Sequence, residues 1–485
     1  MKLLRTTIVR RLSRPTGLLI AALCLLALVR LGYAGDILRG GAANIPGKRS
    51  GSSATSSASN EAAAQVNAAA KDRLARTTAA VNAVKNMQQK AAAAASVPDG
   101  LGTGGLKVLE GASARWTGAS LPTQSGTTVN IRQNEAQAIL HWETFNVGRQ
   151  TTVNFDQSKG GSDVGKWVAF NKVFDPSGKP SQILGKINAQ GQVYIINQNG
   201  IIFGGGSQVN TRTLVASSLP INDNLIDQGL LNLSATSPEF LFSAITQGTF
   251  VPPTALTADG RSGAVQVEKG AVIESTVSGD GSGGRVALVG PTVRNSGRIA
   301  TPAGQTILAA GLQVGFDAHD SSDPSLRGLD TYIGAVGSYA GEVVNDGVIE
   351  AAAGSITMAG KTLRQNGVID SVTTVTLNGR IDLQASYNAV PNYSYDPSSP
   401  SGTTTFLHQD SGSVLFGAGS VTRVLPDLES ALTTVGTELP LASQINVRGR
   451  DVYFGADAMM QASSGEVTIQ AGTWAPVTVT TSGTE

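Results

Sequence analysis

Short runs of Val, Ile, Thr and Phe, alternating with polar residues, recur from about residue 106 onward, and Gly, Asn, Asp and Ser separate them. Residues 127–131 (TTVNI), 151–155 (TTVNF), 192–196 (QVYII) and 284–289 (GRVALV) are examples, and their period of two predicts strands. No helical pattern lies between them, which argues against helix-linked parallel strands. Four segments share one shape: 267–274 (VEKGAVIE), 293–300 (VRNSGRIA), 344–350 (VNDGVIE) and 364–370 (RQNGVID). Their glycines Gly270, Gly297, Gly347 and Gly367 stand 27, 50 and 20 residues apart, and the 50 spans an insertion near 316–340. The strand-like stretches 285–289, 305–309 and 355–359 also resemble one another, and 413–421 and 451–459 repeat the theme.

A period of twenty-odd residues marks a solenoid, and the regular Leu positions of a leucine-rich repeat are missing. A unit of strand, Asn-Gly turn, strand and turn predicts an all-β fold, a right-handed parallel β-helix whose coils bury apolar faces only by stacking. At roughly 20–25 residues per coil, the chain after residue 106 provides on the order of 15 coils, a rod of roughly 70 Å. A β-sandwich or barrel is the alternative, and the unequal strand spacing and unit similarity count against it.

The first 105 residues read differently. Residues 1–14 are basic, 17–29 are apolar and 32–34 (Gly-Tyr-Ala) form a small-x-small site, which predicts a secretory signal peptide over 1–34 cleaved after Ala34. The apolar run is short for a membrane anchor. A Gly/Ser/Ala-rich linker is expected over 35–105, carrying an Ala-rich helix at 61–95, and Pro and Gly at 97–105 close it. The expected domains are therefore the signal peptide 1–34, the linker 35–105, a first β-helical domain 106–230, and continuing β-helix repeats over 231–485.

Composition sharpens the picture. Of 485 residues 58 are Gly, only 5% are aromatic and 15% charged, a balance suited to short strands and turns. Residues 1–34 hold six cations and no acid, so removing them takes 36 Lys+Arg to 30 against 35 Asp+Glu, and the net charge from +1 to −5. Such a chain lacks the electrostatic footprint of a nucleic-acid binder. The single cysteine, Cys24, falls within the signal, so the processed chain has neither disulfides nor Cys metal ligands.

Residues 169–221 carry a specific resemblance. The segment Asn197-Gln198-Asn199-Gly200-Ile201 follows the strand-like 193–196; Asn210-Thr211 and the Thr/Ser-rich 214–219 come after it. Upstream stand Asn171-Lys172-Val173, the 181–185 run (SQILG) and the 142–155 block (WETFNVGRQTTVNF). Together these resemble the N-terminal secretion domain of two-partner-secretion exoproteins, the filamentous haemagglutinin and high-molecular-weight adhesin family, over roughly 106–370. Gln198 replaces the usual Pro, and the paired Cys of some haemagglutinin-like members is absent near 204–206; both departures are similar to the adhesin branch.

The resemblance implies a mechanism. The chain would pass the inner membrane by the general secretory route, bind the periplasmic repeat domains of an outer-membrane β-barrel transporter while unfolded, and fold outside the Gram-negative cell as a monomer. It implies a secretion-recognition role for Asn171, Asn197, Asn199, Gly200, Ile201, Asn210 and Thr211, and an adhesin or virulence role toward a host-cell or other cell-surface ligand. At each asparagine the plainer alternative, that it caps and stacks a turn, stays open.

Candidate chemistry is sparse, and no cofactor, metal or catalytic activity is expected. His141, His319 and His408 lack metal-ligand spacing. The loop 316–330 gathers Asp317, His319, Asp320, Asp323 and Asp330 without the spacing of an EF-hand, so a solvated loop is expected. Spacing alone leaves open a polysaccharide-active β-helix using acids such as Asp370 and Asp382. A contact-dependent toxin stem is the third reading. The final residues 475–485 end in mid-pattern, which suggests a truncated or short member.

Overall fold

The computed structural model describes residues 97–472 except 113, 228–229, 231–237, 247–248, 251–262, 280, 319–324, 335–340, 396–403 and 428–440. The expected signal peptide, its cleavage at Ala34 and the Ala-rich helix at 61–95 lie outside the described residues.

The chain winds as a parallel β-helix with three sheets, visited in the same order on each full turn. Sheet I has eight strands, from Ser181–Ile183 to Asp451–Phe454. Sheet II has eleven, its parallel stack running from Thr128–Arg132 to Met459–Ala462. Sheet III has twelve, its parallel stack running from Gln137–Phe145 to Gly465–Ala471. Setting aside one antiparallel strand in sheet II and two in sheet III leaves ten stacked coils among the described residues. Ten coils at about 4.8 Å make a rod of roughly 45 Å, shorter than the length expected from the sequence. The difference has a plain cause: excursions over 218–263, 311–341 and 385–412 consume chain that a uniform period assigns to coils.

Register explains why alternation and turns recur. In sheet II, Val129, Val153, Ile187, Val209, Ile273, Ile299, Ile349 and Ile369 pair in successive coils and form one fully buried inward column. Their neighbours Val272, Arg298, Val348 and Val368 point outward, giving the period of two. The repeated glycines lie at the corner between sheets I and II. A Cβ on Gly347 would sit 2.2 Å from the Gly297 carbonyl oxygen, and one on Gly367 2.1 Å from that of Gly347. This close coil-to-coil approach requires glycine.

Polar residues inside the rod also stack. Asn295 Nδ2 donates to Asn345 Oδ1 at 2.9 Å, and Asn345 Nδ2 to Gln365 Oε1 at 2.8 Å, a buried amide ladder in sheet I. The same column continues to Phe416 and Phe454, whose rings stack 4.8 Å apart.

The middle strands of sheet III are covered on both sides, so they read as nearly continuous apolar runs. In Arg285–Gly290, Val286 and Leu288 face the rod interior, while Ala287 and Val289 join a second core outside it. That outer core is roofed by the excursions. They contribute the helix Asp223–Asp227 and an antiparallel sheet of Phe242–Ser243, Gln313–Ala318 and Leu329–Ile333. The short hairpin Val390–Pro391/Phe406–Leu407 adds Phe406 against Phe240 and Tyr332.

The N-terminal end of the rod is closed by residues 97–133. Leu106–Val108 and Trp116–Thr117 pair antiparallel with Gln137–Phe145, and Thr123–Ser125 folds onto Thr128–Arg132. Trp116 packs edge-on to buried Trp142 at 5.0 Å. At the other end, the last described coil leaves Phe454, Val467 and Ile469 roughly half exposed.

Two outcomes follow for stability. Ile349→Ala should cost about 2–5 kcal/mol in urea unfolding, because it opens a cavity in the sheet II column, whereas outward Val348→Ala should cost under about 1 kcal/mol. His408 packs edge-on to Tyr332, and burial holds its imidazole below the ordinary value. A folded-state pKa below the unfolded one means that the unfolded chain takes up the proton first. Stability is therefore full above about pH 6.5 and falls as pH drops from there toward the folded pKa. His408→Leu should flatten that slope in pH-dependent unfolding.

Candidate secretion-recognition site

The strand Gln192–Ile196 in sheet III turns into Ile201–Phe203 in sheet I through Asn197–Gly200, and the turn is tied to coils on both sides. Asn197 Oδ1 accepts from the Asn199 backbone N–H at 3.0 Å, closing an Asx turn. Its Nδ2 donates to Ser181 Oγ of the preceding coil at 2.9 Å. Its own N–H donates to the Ser217 carbonyl of the following coil at 3.0 Å. Asn199 Nδ2 donates to the Asp175 carbonyl at 2.9 Å, pinning the 174–180 loop. Gly200 has φ +107°, and a Cβ there would stand 2.8 Å from the Ala264 carbonyl oxygen. Ile201 beyond it is fully buried.

The other candidates occupy different places. Asn171 lies in an inward column of sheet III, between Leu140 and Ile195 in register. It is fully buried and well satisfied: Trp142 Nε1 donates to its Oδ1 at 3.0 Å, and its Nδ2 donates to the carbonyls of Ala169 and Tyr194 at 3.2 and 3.1 Å. Burial also pushes the Tyr194 phenol up to about 12. Asn210 lies on the outer face of sheet II and ends a ladder, donating to Asn188 at 3.4 Å; Asn188 donates to Asn154 at 3.0 Å and Asn154 to Asn130 at 3.2 Å. Thr211 is fully buried at the next position, its hydroxyl without a hydrogen-bond partner.

The fold thus brings Asn197, Asn199, Gly200 and Ile201 together at one corner, with Asn171 inside sheet III and Asn210 and Thr211 on sheet II. All but Asn210 are buried. The partner Asp175 carries no motif of its own in the sequence, and Ser217, though within the Thr/Ser-rich 214–219 run, reaches the corner only through coil stacking. Among the described residues no group of three or more His, Cys, Asp or Glu gathers as a metal site. Of the 316–330 loop, His319, Asp320 and Asp323 lie outside the described residues, while Asp317 and Asp330 pair across two strands. Asp370 faces out from sheet II on Arg423, and Asp382 lies on sheet III against Arg380, so this carboxylate pair does not converge.

The corner geometry sets an expected cost. Asn197→Ala strands buried partners and should lower unfolding free energy by about 1–3 kcal/mol. Gly200→Ala should lower it by at least about 1–2 kcal/mol, from the positive φ alone. Chemical denaturation of the purified chain measures both.

Residues 111–392, more than half of the chain, match the family model described as the TPS secretion domain. Two curated relatives are similar, both heme/hemopexin-binding proteins of Haemophilus influenzae. One is 34% identical over 90 residues, 19% of this chain and 9% of that protein. The other, from strain Rd, is 27% identical over 241 residues, 50% of this chain and 22% of that protein. The chain therefore spans less than a quarter of the length of these relatives. The crystal structure of the HMW1 secretion domain from Haemophilus influenzae is similar with a TM-score of 0.47 and 20% identity, covering 74% of this chain and 84% of that one. The family match runs from the N-terminal closure of the rod to the hairpin strand Val390–Pro391, and by it the chain belongs to the TPS secretion domain family, as the secretion domain of a two-partner-secretion exoprotein.

Proposed function

We propose that this chain is the exported N-terminal part of an adhesin-like surface protein, bound in the periplasm by its outer-membrane β-barrel transporter while still unfolded. One observation carries the timing. Asn171, Asn197, Ile201 and Thr211 are at most 1% exposed in the folded coils, so a partner that reads these side chains must do so before the coils stack. Folding outside the cell then buries the recognition residues and removes them from the transporter, and the burial free energy of each added coil favours outward movement. Asn197 and Asn199 serve twice on this reading, as ligands of the transporter in the unfolded chain and as corner ties in the folded one. The chain acts without catalysis, and its rod presents a surface to a host or neighbouring cell.

The direct test uses purified periplasmic domains of the transporter. They should capture urea-unfolded chain diluted into buffer, and should neither hold the folded chain nor capture unfolded N197A or N199A. In cells, N199A should accumulate in the periplasm and be lost from the medium. Equal capture of folded and unfolded chain, or normal secretion of N199A, would overturn the recognition role. Turnover of pectin, alginate or a related glycan by the purified protein would overturn the non-enzymatic reading.

A further inference from the structure

Most cations placed between coils are paired. Arg298 bridges Glu274 and Glu350, Arg294 meets Asp346, Arg364 meets Glu342, Arg380 meets Asp382 and Arg423 meets Asp370. Among the described residues three half-buried arginines depart from this pattern: Arg212, whose guanidinium is met by Ser278 and Ser282, and the pair Arg285 and Arg327. Arg285, at the start of a sheet III strand, and Arg327, in the excursion that roofs that sheet, line one cleft of about 450 Å³ with Gly284, Gln305 and Ser355. Among the described residues no carboxylate lines this cleft. Burial lowers both guanidinium groups below the ordinary arginine range.

The hydrogen bonding is incomplete in the same place. Arg327 Nη2 donates to the carbonyls of Ala353 and Asn378 at 3.2 and 2.6 Å, which fixes the fork. Its Nε is buried with no acceptor. Arg285 Nε reaches Gln305 Oε1 at a long 3.4 Å, and that oxygen already accepts from the Leu329 N–H at 2.9 Å. A buried donor without an acceptor is costly, and a guanidinium fork matches oxyanions in a bidentate geometry. Arg327 is held in place before any ligand arrives while its Nε lacks an acceptor, and Arg285 has only the long contact to Gln305.

We propose that the cleft between Arg285 and Arg327 is an oxyanion-binding site, taking a carboxylate, sulfate or phosphate group either as a free ion or as the acid group of a sugar acid. The site lies at the edge of the roofed sheet III, away from the Asn197–Gly200 corner, and it stands independently of the export reading. Arg327 is the fixed wall, and Arg285, the less tightly tied of the two, closes on the anion.

Isothermal titration of the full secreted chain at low salt with sodium sulfate, sodium phosphate and glucuronate tests this. At least one of these probes should bind saturably at a single site. R285Q and R327K should each weaken that binding roughly ten-fold or more, with circular dichroism unchanged. R364Q, which removes an exposed paired cation, should bind as the parent does. Glucuronate binding at least ten-fold tighter than both inorganic ions supports a sugar acid, and equal binding supports a free ion. Should R327K fail to fold, R285Q decides alone. Absence of saturable binding for all three probes, parental binding by R285Q, or an equal loss in R364Q would overturn the site.

Discussion

In-register stacking of one coil on the next is the constraint on which this structure depends. A single coil has no interior. The column Val129 to Ile369 becomes a core only because each member is laid against its neighbour at the same register position. The backbone follows the same logic, since each strand's donors and acceptors are satisfied by the coils above and below. A one-residue slip would turn the aliphatic column of sheet II outward and bring Glu274, Arg298 and Glu350 inward. The N-terminal closure by residues 97–133 answers the same problem at the first described coil, where antiparallel strands and Trp116 cover its outer edge.

The amide side chains that enter the interior are satisfied by stacking, whereas buried hydroxyls such as that of Thr211 are not all met. Asn295, Asn345 and Gln365 exchange side-chain hydrogen bonds from coil to coil, and Asn171 sits in an otherwise aliphatic column because Trp142 and two carbonyls meet its amide. The Asn197–Gly200 corner joins three successive coils through three hydrogen bonds, and a fourth closes the turn itself. This gives the Asn197–Gly200 turn a structural purpose in the folded rod, and it hides the side chains of Asn197 and Asn199 from any partner that meets the rod already folded.

The outer surfaces divide the remaining labour. Sheet II carries an asparagine ladder in its early coils and ion pairs in its later ones, both aligned along the rod. Sheet III is roofed by the excursions, so a second core grows on its outer side. Arg285 and Arg327 lie where that roof meets the edge of the sheet, in a cleft that no carboxylate lines among the described residues.

Much of the fold was legible in the sequence because stacking repeats its signals: alternation in sheet II, glycine at the close corner, and the paired resemblance of 413–421 with 451–459, which stack strand on strand. The corner residues Asn197, Asn199 and Gly200 were legible too, since an Asx turn and a positive φ have local sequence signatures. Other features depended on contacts between segments far apart in the chain. The excursions at 218–263 and 385–412 showed no period, so the coil number was overestimated, and the continuous apolar runs of sheet III disclosed burial on two faces without naming what lay on the outer one. Asp175 and Ser217 became corner partners, and Arg285 and Arg327 became neighbours, only when coils 20 to 40 residues or more apart in sequence were stacked. Local chemistry along the chain determined the repeating unit and its turns. Tertiary stacking decided how many units there are, what covers them and which distant side chains meet, because those outcomes are set by long-range burial and hydrogen bonding that no short window of sequence contains.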